Sequence, residues 1–174
     1  ATPQGRAPVS APPGLPQAAP QVREGPFDIK AFRQELAKVL RDLNWDRNAV
    51  NAVRQVRAQR VPAQLQAAEY ADIITRVVES ANGSVRRAGV AFVAGLAASR
   101  GAQEEPSNAF APAECIAGLR AFFEDVYPDL CEEVPRLEVI VCTELLPTLR
   151  AVLPAALLEA AVPADIRMVE ALRV

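Results

Sequence analysis

From Ile29 onward, the large apolar residues of this chain recur at steps of three and four positions. The first such set consists of Ile29, Phe32, Leu36, Val39, Leu40 and Leu43. That spacing places apolar side chains on one face of an α-helix, whereas a half-buried strand alternates at every second residue. No stretch of the sequence alternates with period two. We therefore predict an all-α fold of antiparallel helix pairs, stacked as in HEAT-type repeats.

Proline, glycine and polar capping residues divide the first half of the chain into helical segments. Asp28 is expected to cap the first helix, and Trp45 breaks its apolar pattern. Residues 101–112 form a polar loop after the fourth segment. The predicted segments are residues 28–43, a short helix ending before Val61–Pro62, residues 63–81, and a helix from Val85 to about residue 100.

The second half of the chain is also divided into helical segments by prolines and polar residues. A fifth helix begins near Pro112, a favourable first-turn residue, and ends at an acidic connector that spans residues 127–135. A sixth helix begins after this connector, and we expect Pro147 to kink or end it. A last amphipathic segment covers residues 163–174.

Residues 1–26 differ in composition from the rest of the chain. They contain seven prolines and scarcely a large apolar residue, so they cannot form a core. We predict an extended arm of polyproline type, which is either a linker or a strap that docks on another protein. Residues 27–174 are then a single helical domain.

Several classes of chemistry are disfavoured by the composition. The sequence contains no histidine, which is the commonest general base and metal ligand in proteins. Cys115, Cys131 and Cys142 form no C-x-x-C motif, so we expect buried free thiols. No nucleophile-elbow or phosphate-loop motif is present. We predict a protein that is not an enzyme and that needs no cofactor or metal.

The charge balance and hydropathy also limit the partners. A formal net charge of -2 provides no basic field to attract nucleic acid, so direct nucleic-acid binding is not expected. The apolar stretch of residues 139–158 is interrupted by Glu144, Arg150 and two prolines. It therefore lacks the roughly 20 consecutive apolar residues that a membrane span needs.

Three motifs follow one another in the second half of the chain. Gly118-Leu119 precedes Phe122 by three residues, and Pro128-Asp129 and Glu133-Val134-Pro135 come next. This order resembles the glycine-aromatic helix, the Pro-Asp turn and the Asp-Val-Pro step of the MA3 domain. That domain is found in programmed cell death protein 4 and in the C-terminal half of the initiation factor 4G family of translation scaffolds. The resemblance covers roughly residues 28–158, and it implies a HEAT-like helical stack.

The resemblance also implies a cytoplasmic adaptor that binds a DEAD-box helicase of translation initiation and modulates translation. The helicase-contacting acids of the family match Asp129 and Glu133 here. Independently, five carboxylates lie within ten residues, a density suited to pairing with arginines of a protein partner. Our candidate partner-binding residues are Asp125, Pro128, Asp129, Glu132 and Glu133, to which Glu124 is adjacent. Alternatively, these acids only keep the connector soluble, and Pro128 with Asp129 makes the turn that ends the fifth helix.

Two further hypotheses come from the residues. Arg54 and Arg57 belong to a basic stripe on the second helix, and Arg86 and Arg87 lie near the start of the fourth, so these four are candidate anion contacts, with ordinary surface ion pairing as the alternative. A second functional interpretation is an accessory subunit of a large protein complex, held by its arm and its helical surface. The sequence begins with Ala rather than Met, so it is either a fragment of a longer protein or a mature form. As a mature form, such a subunit is expected in a plastid or mitochondrion after removal of a leader.

Overall fold

The computed structural model describes residues 27–98 and 109–171, with side chains described as far as Arg167. All regular elements within these ranges are helical, and no strand occurs in them, which confirms the all-α prediction. The predicted arm, residues 1–26, lies outside the described residues, as does most of the predicted polar loop. The elements are α1 (Ile29–Asp46), α2 (Ala49–Ala58), α3 (Ala63–Val78), α4 (Gly83–Ala97), α5 (Pro112–Ala121), a π-helical segment π1 (Phe122–Val126), α6 (Tyr127–Glu133), α7 (Leu137–Ile140), a second π-helical segment π2 (Val141–Leu145), α8 (Leu146–Arg150), α9 (Ala155–Ala161) and α10 (Ala164–Ala171).

Helix α3 lies at the centre of the packing. It contacts α4 and π1, and its most extensive contact is with α5, while α2 packs against both α1 and α4. The buried apolar residues form one cluster that extends from Phe32 in α1 to Ile166 in α10. Among the described helices, none is both long enough and apolar enough to cross a bilayer.

The two ends of α1 are fixed by local hydrogen bonds. Asp28 accepts from the backbone N–H groups of Lys30 and Ala31 at 2.9 and 3.1 Å, which confirms the predicted cap. The helix ends at Asp46, three residues beyond the predicted end at residue 43, and Trp45 lies off its apolar face at 85% exposure. Arg47 ends α1 in the left-handed conformation, with a φ of 57°, and its N–H donates to the carbonyl of Leu43.

Pro128, which was assigned to a connector, and Pro147, which was expected to kink or end its helix, both lie inside continuous helices. Each follows a π-helical segment by two residues: Tyr127 donates its N–H to the carbonyl of Phe122 just before Pro128, and Leu146 does so to Val141 just before Pro147. Proline lacks an N–H and clashes with the carbonyl four residues earlier, so a wider turn at that point accommodates it. The predicted connector of residues 127–135 is therefore wrong, since 127–133 is helical, and the sixth helix continues beyond Pro147 to residue 150.

Two of the described residues in the predicted polar loop, Ala109 and Phe110, belong to the core. Phe110 has no exposed surface, its N–H donates to the carbonyl of Leu96 at 3.1 Å, and its ring lies edge-on to Tyr70 with the centroids 5.9 Å apart. Phe110 lies outside any helix, as predicted, but its burial was not predicted, because a single aromatic among polar residues gives no periodic signal. Phe110 closes the end of the α3–α4 pair beside the start of α5.

Gln66 connects the loop before α3 to the start of α5. Its side chain is almost fully buried, its Nε2 donates to the carbonyl of Val61 at 2.7 Å, and its Oε1 accepts from the N–H of Ala111 at 2.7 Å. The amide thus satisfies two backbone groups that are otherwise without a helical partner. It holds two loops in register with one side chain.

Gln66→Leu is expected to lower the free energy of unfolding by about 2 kcal/mol, because both backbone groups lose their partner. The measurement is a urea titration followed by far-UV circular dichroism. Gln64→Leu, on the exposed side of α3, makes the same chemical change and should alter stability by less than about 0.5 kcal/mol. Equal losses for the two variants would show that the bridge does not contribute.

The burial of the C-terminal helices and of the cysteines can also be compared with the predictions. Ile166 is buried, as predicted for the last amphipathic segment, while the side chains of Val169 and Leu172 lie outside the described ones. Helix α9 was not predicted and packs against α5. Two thiols are buried as expected, but Cys131 is exposed, because it faces solvent on α6.

Candidate functional site

The five acidic residues singled out by the sequence lie on the exposed side of one continuous helix. Two belong to π1 and three to α6, and every one of them is exposed. Within the described residues no hydrogen bond or ion pair occupies their carboxylates. We call this set the acidic face: Glu124, Asp125, Asp129, Glu132 and Glu133.

Helical geometry brings part of the acidic face onto a single stripe. Within α6, Asp129 is followed by Glu132 and Glu133 at three and four residues, the spacing of side chains that are neighbours on a helix surface. Asp125 precedes Asp129 by four residues and extends the stripe into π1. From residue 125 to residue 133 the stripe is about 12 Å long. Pro128 is exposed beside it and adds an apolar contact.

A packed aromatic cluster supports the acidic face from the inside. Phe122 is completely buried and Phe123 nearly so, and their ring centroids are 5.3 Å apart. Tyr127 completes the cluster at 6.1 and 5.4 Å from these rings. Leu130 is also buried, so both turns of helix beneath the carboxylates are anchored in the core. The acids are presented on a rigid element, which lowers the entropic cost of binding a partner.

The thiol and phenol groups near this helix are poor candidates for chemistry. Burial raises the pKa of Cys115 to about 12, and it raises the pKa of the fully buried Tyr70 well above its usual value. Burial, and next a hydrogen bond with Cys131, raises the pKa of Tyr127. A nucleophile needs a lowered pKa, so the neighbourhood favours packing over catalysis. No group of three or more His, Cys, Asp or Glu side chains within residues 27–98 and 109–167 is placed to hold a metal ion.

The candidate anion contacts are not brought together as one site. Arg86 donates from Nε and Nη2 to the carboxylate of Glu144, with a shortest distance of 2.8 Å, and from Nη1 to the carbonyl of Ser80 at 2.9 Å. Its guanidinium therefore holds α4 to π2 and has little capacity left for an anion. Arg87 remains exposed on α4.

The two candidate arginines of α2 differ in exposure. Arg54 is exposed, whereas Arg57 is partly buried and its Nε has no hydrogen-bond partner. The basic stripe that sequence periodicity suggested also included Arg47 and Arg60. Both of these lie beyond helix ends in the left-handed conformation, with φ of 57° and 51°. The stripe is therefore shorter than the sequence spacing suggested.

A buried ion pair that the sequence analysis did not identify joins α1 to α3. Glu69 is only 1% exposed, and Arg33 donates to its carboxylate from Nε at 3.0 Å and from Nη2 at 2.6 Å. The sequence does contain a signal for the burial of Glu69: it lies four residues from both Leu65 and Ile73, on the apolar stripe of α3. A charged residue on such a stripe requires a partner when buried.

The chain matches no protein-family model, no curated protein and no solved structure. The resemblance to the MA3 domain therefore depends on the order of the sequence motifs, and the structure contributes the all-helical packing and the geometry of the acidic face.

Proposed function

We propose that this chain is a non-enzymatic adaptor of the MA3 type that binds a DEAD-box helicase of translation initiation through the acidic face. The carrying observation is the set of five exposed carboxylates on one helix, anchored from within by Phe122, Phe123 and Leu130. Such a stripe is complementary to a row of arginines on a partner, because arginine pairs with carboxylates through two parallel hydrogen bonds.

The electrostatics of the face favour fast and selective association. Like charges held on one rigid helix raise the local negative potential and steer a basic partner into register. Because the carboxylates are exposed in the free chain, binding does not first require breaking internal ion pairs. The role of Asp129 and Glu133 as the central contacts comes from the MA3 resemblance and is part of the proposal.

Asp129→Ala/Glu133→Ala is expected to weaken binding to the initiation helicase about tenfold, since two charge-assisted contacts are lost. Isothermal titration calorimetry at fixed ionic strength gives the dissociation constants. Asp42→Ala/Glu159→Ala removes the same charge from exposed positions on α1 and α9 and should change the constant by less than about twofold. Absence of binding by the folded parent would refute the helicase proposal. Equal weakening by both double variants would refute the assigned surface.

A second candidate function is the accessory subunit of a large assembly. The observation that favours it is exposed apolar surface, with Trp45, Val50 and Leu157 at 85, 56 and 47% exposure. Exposed large apolar side chains that lie close together are typical of surfaces that another protein covers, and Trp45 and Val50 flank the turn between α1 and α2. Sedimentation of the native protein separates the candidates, since an adaptor migrates alone or with the helicase and a subunit migrates with its assembly.

A further inference from the structure

Trp45 is the most exposed large apolar side chain in the described part of the chain. It lies in the last turn of α1, four residues after Arg41 and directly after Asn44. Neither an aromatic partner nor a cation–π partner accompanies the indole among the described residues. Burial of an indole removes more apolar surface from water than burial of almost any other side chain. The exposed indole of Trp45 is therefore suited to contact with a further segment or a partner.

A groove of about 370 Å³ lies between α1, α3 and α4, and the helix neighbours of Trp45, Arg41 and Asn44, belong to its lining. Leu40, Val77 and Val85 provide apolar lining, and Arg41 and Asn44 form its edge on α1. Side chains four residues apart on a helix are neighbours, so Trp45 stands beside Arg41 at the border of the groove. An exposed tryptophan that borders an apolar groove is the kind of surface on which polyproline segments dock.

The charges around the groove favour an uncharged occupant. Arg76 is paired with Asp72 at 2.7 Å, and Glu79 lies on the same side as Arg41. The mixed signs provide no net field for a strongly acidic or basic ligand. Residues 7–20 of this chain carry no charged side chain and include the run Pro12-Pro13-Gly14-Leu15-Pro16. That run contains a P-x-x-P motif and one leucine, both typical of polyproline ligands.

The length of the N-terminal segment allows it to reach the groove. Phe27 packs on Phe32 with ring centroids 5.7 Å apart, which fixes where the preceding residues enter the helical body. From Phe27 to Trp45 the distance along α1 is about 27 Å. The eleven residue steps between Pro16 and Phe27 span about 34 Å in a polyproline conformation, so Pro16 can return to Trp45.

We propose that Trp45 and the adjoining groove bind the proline-rich segment Pro12–Pro16 of the same chain. Prolines and a leucine are the residue types that an exposed indole and an apolar groove accept. The tethered segment has a high effective concentration at the groove, so a weak contact suffices for occupancy. This contact is independent of the acidic face and does not depend on the helicase proposal.

The test uses the full chain, in which Trp45 is the single tryptophan. Acrylamide quenching of its fluorescence reports access to the indole. Pro13→Ala/Pro16→Ala is expected to raise the quenching constant about twofold, because a stacked indole is accessible from one ring face only. Pro3→Ala/Pro8→Ala, in the same segment but outside the P-x-x-P motif, should leave it unchanged. Far-UV circular dichroism checks that the helical body is the same in all three proteins.

Two results would overturn the proposal. Equal quenching of the parent and the Pro13→Ala/Pro16→Ala variant would show that the segment does not cover Trp45. Protection that disappears on dilution would show that the proline-rich segment of a second copy occupies the groove, since an intramolecular contact is independent of concentration. Protection that persists on dilution and is lost only in the Pro13→Ala/Pro16→Ala variant is the expected result.

Discussion

Gly118→Ala is expected to lower the free energy of unfolding by about 3 kcal/mol. Gly118 lies where α5 crosses α3, and a Cβ added there would stand 2.5 Å from the carbonyl oxygen of Ala67 and 3.0 Å from Cβ of Tyr70. The first of these atoms is backbone in the central helix, so a rotamer change cannot relieve the clash. The two helices must separate, and the buried side chains between them lose contact.

The expected loss at Gly118 is the difference between the steric clash and the better helix propensity of alanine. Gly83→Ala is the matched control. Alanine is about 1 kcal/mol more favourable than glycine inside a helix, so the clash has to exceed that gain before a loss is measured. At Gly83 an added Cβ would lie 3.6 and 3.7 Å from the ends of the Arg86 and Arg87 side chains, which is ordinary contact. Urea titrations should show Gly83→Ala unchanged or slightly stabilised. A loss below about 0.5 kcal/mol for Gly118→Ala would contradict the close crossing.

The sequence predicted the helices where periodicity and caps agree. Asp28 caps α1 as expected, and Ile73, Ile74, Val77 and Val78 are buried on α3 as their spacing indicates. The secondary structure at such positions is determined by residues within one or two helical turns. A periodic pattern in the sequence reports interactions over this same distance along the chain. Val50 precedes Val53 by three residues, the spacing of one helix face, yet it is 56% exposed, because α2 presents only its other valines to the core.

The helix continues through Pro128, contrary to the connector prediction, and through Pro147 for the same physical reason. A proline within a helical pattern normally ends the helix, because its ring clashes with the preceding turn. Here a π-helical segment widens the turn before each proline, and the helix continues. Whether that widening is tolerated depends on packing: π1 is held by Phe122 and Phe123, which are buried against residues distant in sequence. A single-sequence pattern does not report that packing.

The replacement of the predicted connector by a helix changes the expected rigidity of the candidate site, whereas its residues stay the same. The acidic residues form a dense group in the sequence, but most of them were assigned to a connector. The structure places Asp129 and Glu133 on a helix one turn apart, above a packed aromatic cluster. A preorganised stripe loses less conformational entropy on binding than a loop of the same composition, so the helical assignment strengthens the argument for a protein interface.

Arg33→Met is expected to lower the free energy of unfolding by about 3 kcal/mol at neutral pH, since it leaves the buried carboxylate of Glu69 without its cation. Glu69 is 1% exposed, and Arg33 contributes three hydrogen bonds to it from α1. That hydrogen bonding and the charge of Glu69 raise the pKa of Arg33, which keeps the guanidinium charged. The Arg33 side chain is 57% exposed, so water compensates in part, and the expected loss is at the lower end for a broken buried pair.

Two further variants distinguish the need of the buried Glu69 carboxylate for a cation from ordinary surface ion pairing. Lys38→Met breaks the exposed Lys38–Glu35 pair of the same helix, whose shortest distance is 3.6 Å, and should cost less than about 0.5 kcal/mol. Arg33→Lys keeps the positive charge but loses the planar fork, so an intermediate loss is expected. If urea titrations give the same small loss for Arg33→Met as for Lys38→Met, Glu69 does not need its cation. A large loss restored in part by lysine would establish that α1 is fixed to α3 through a buried charge.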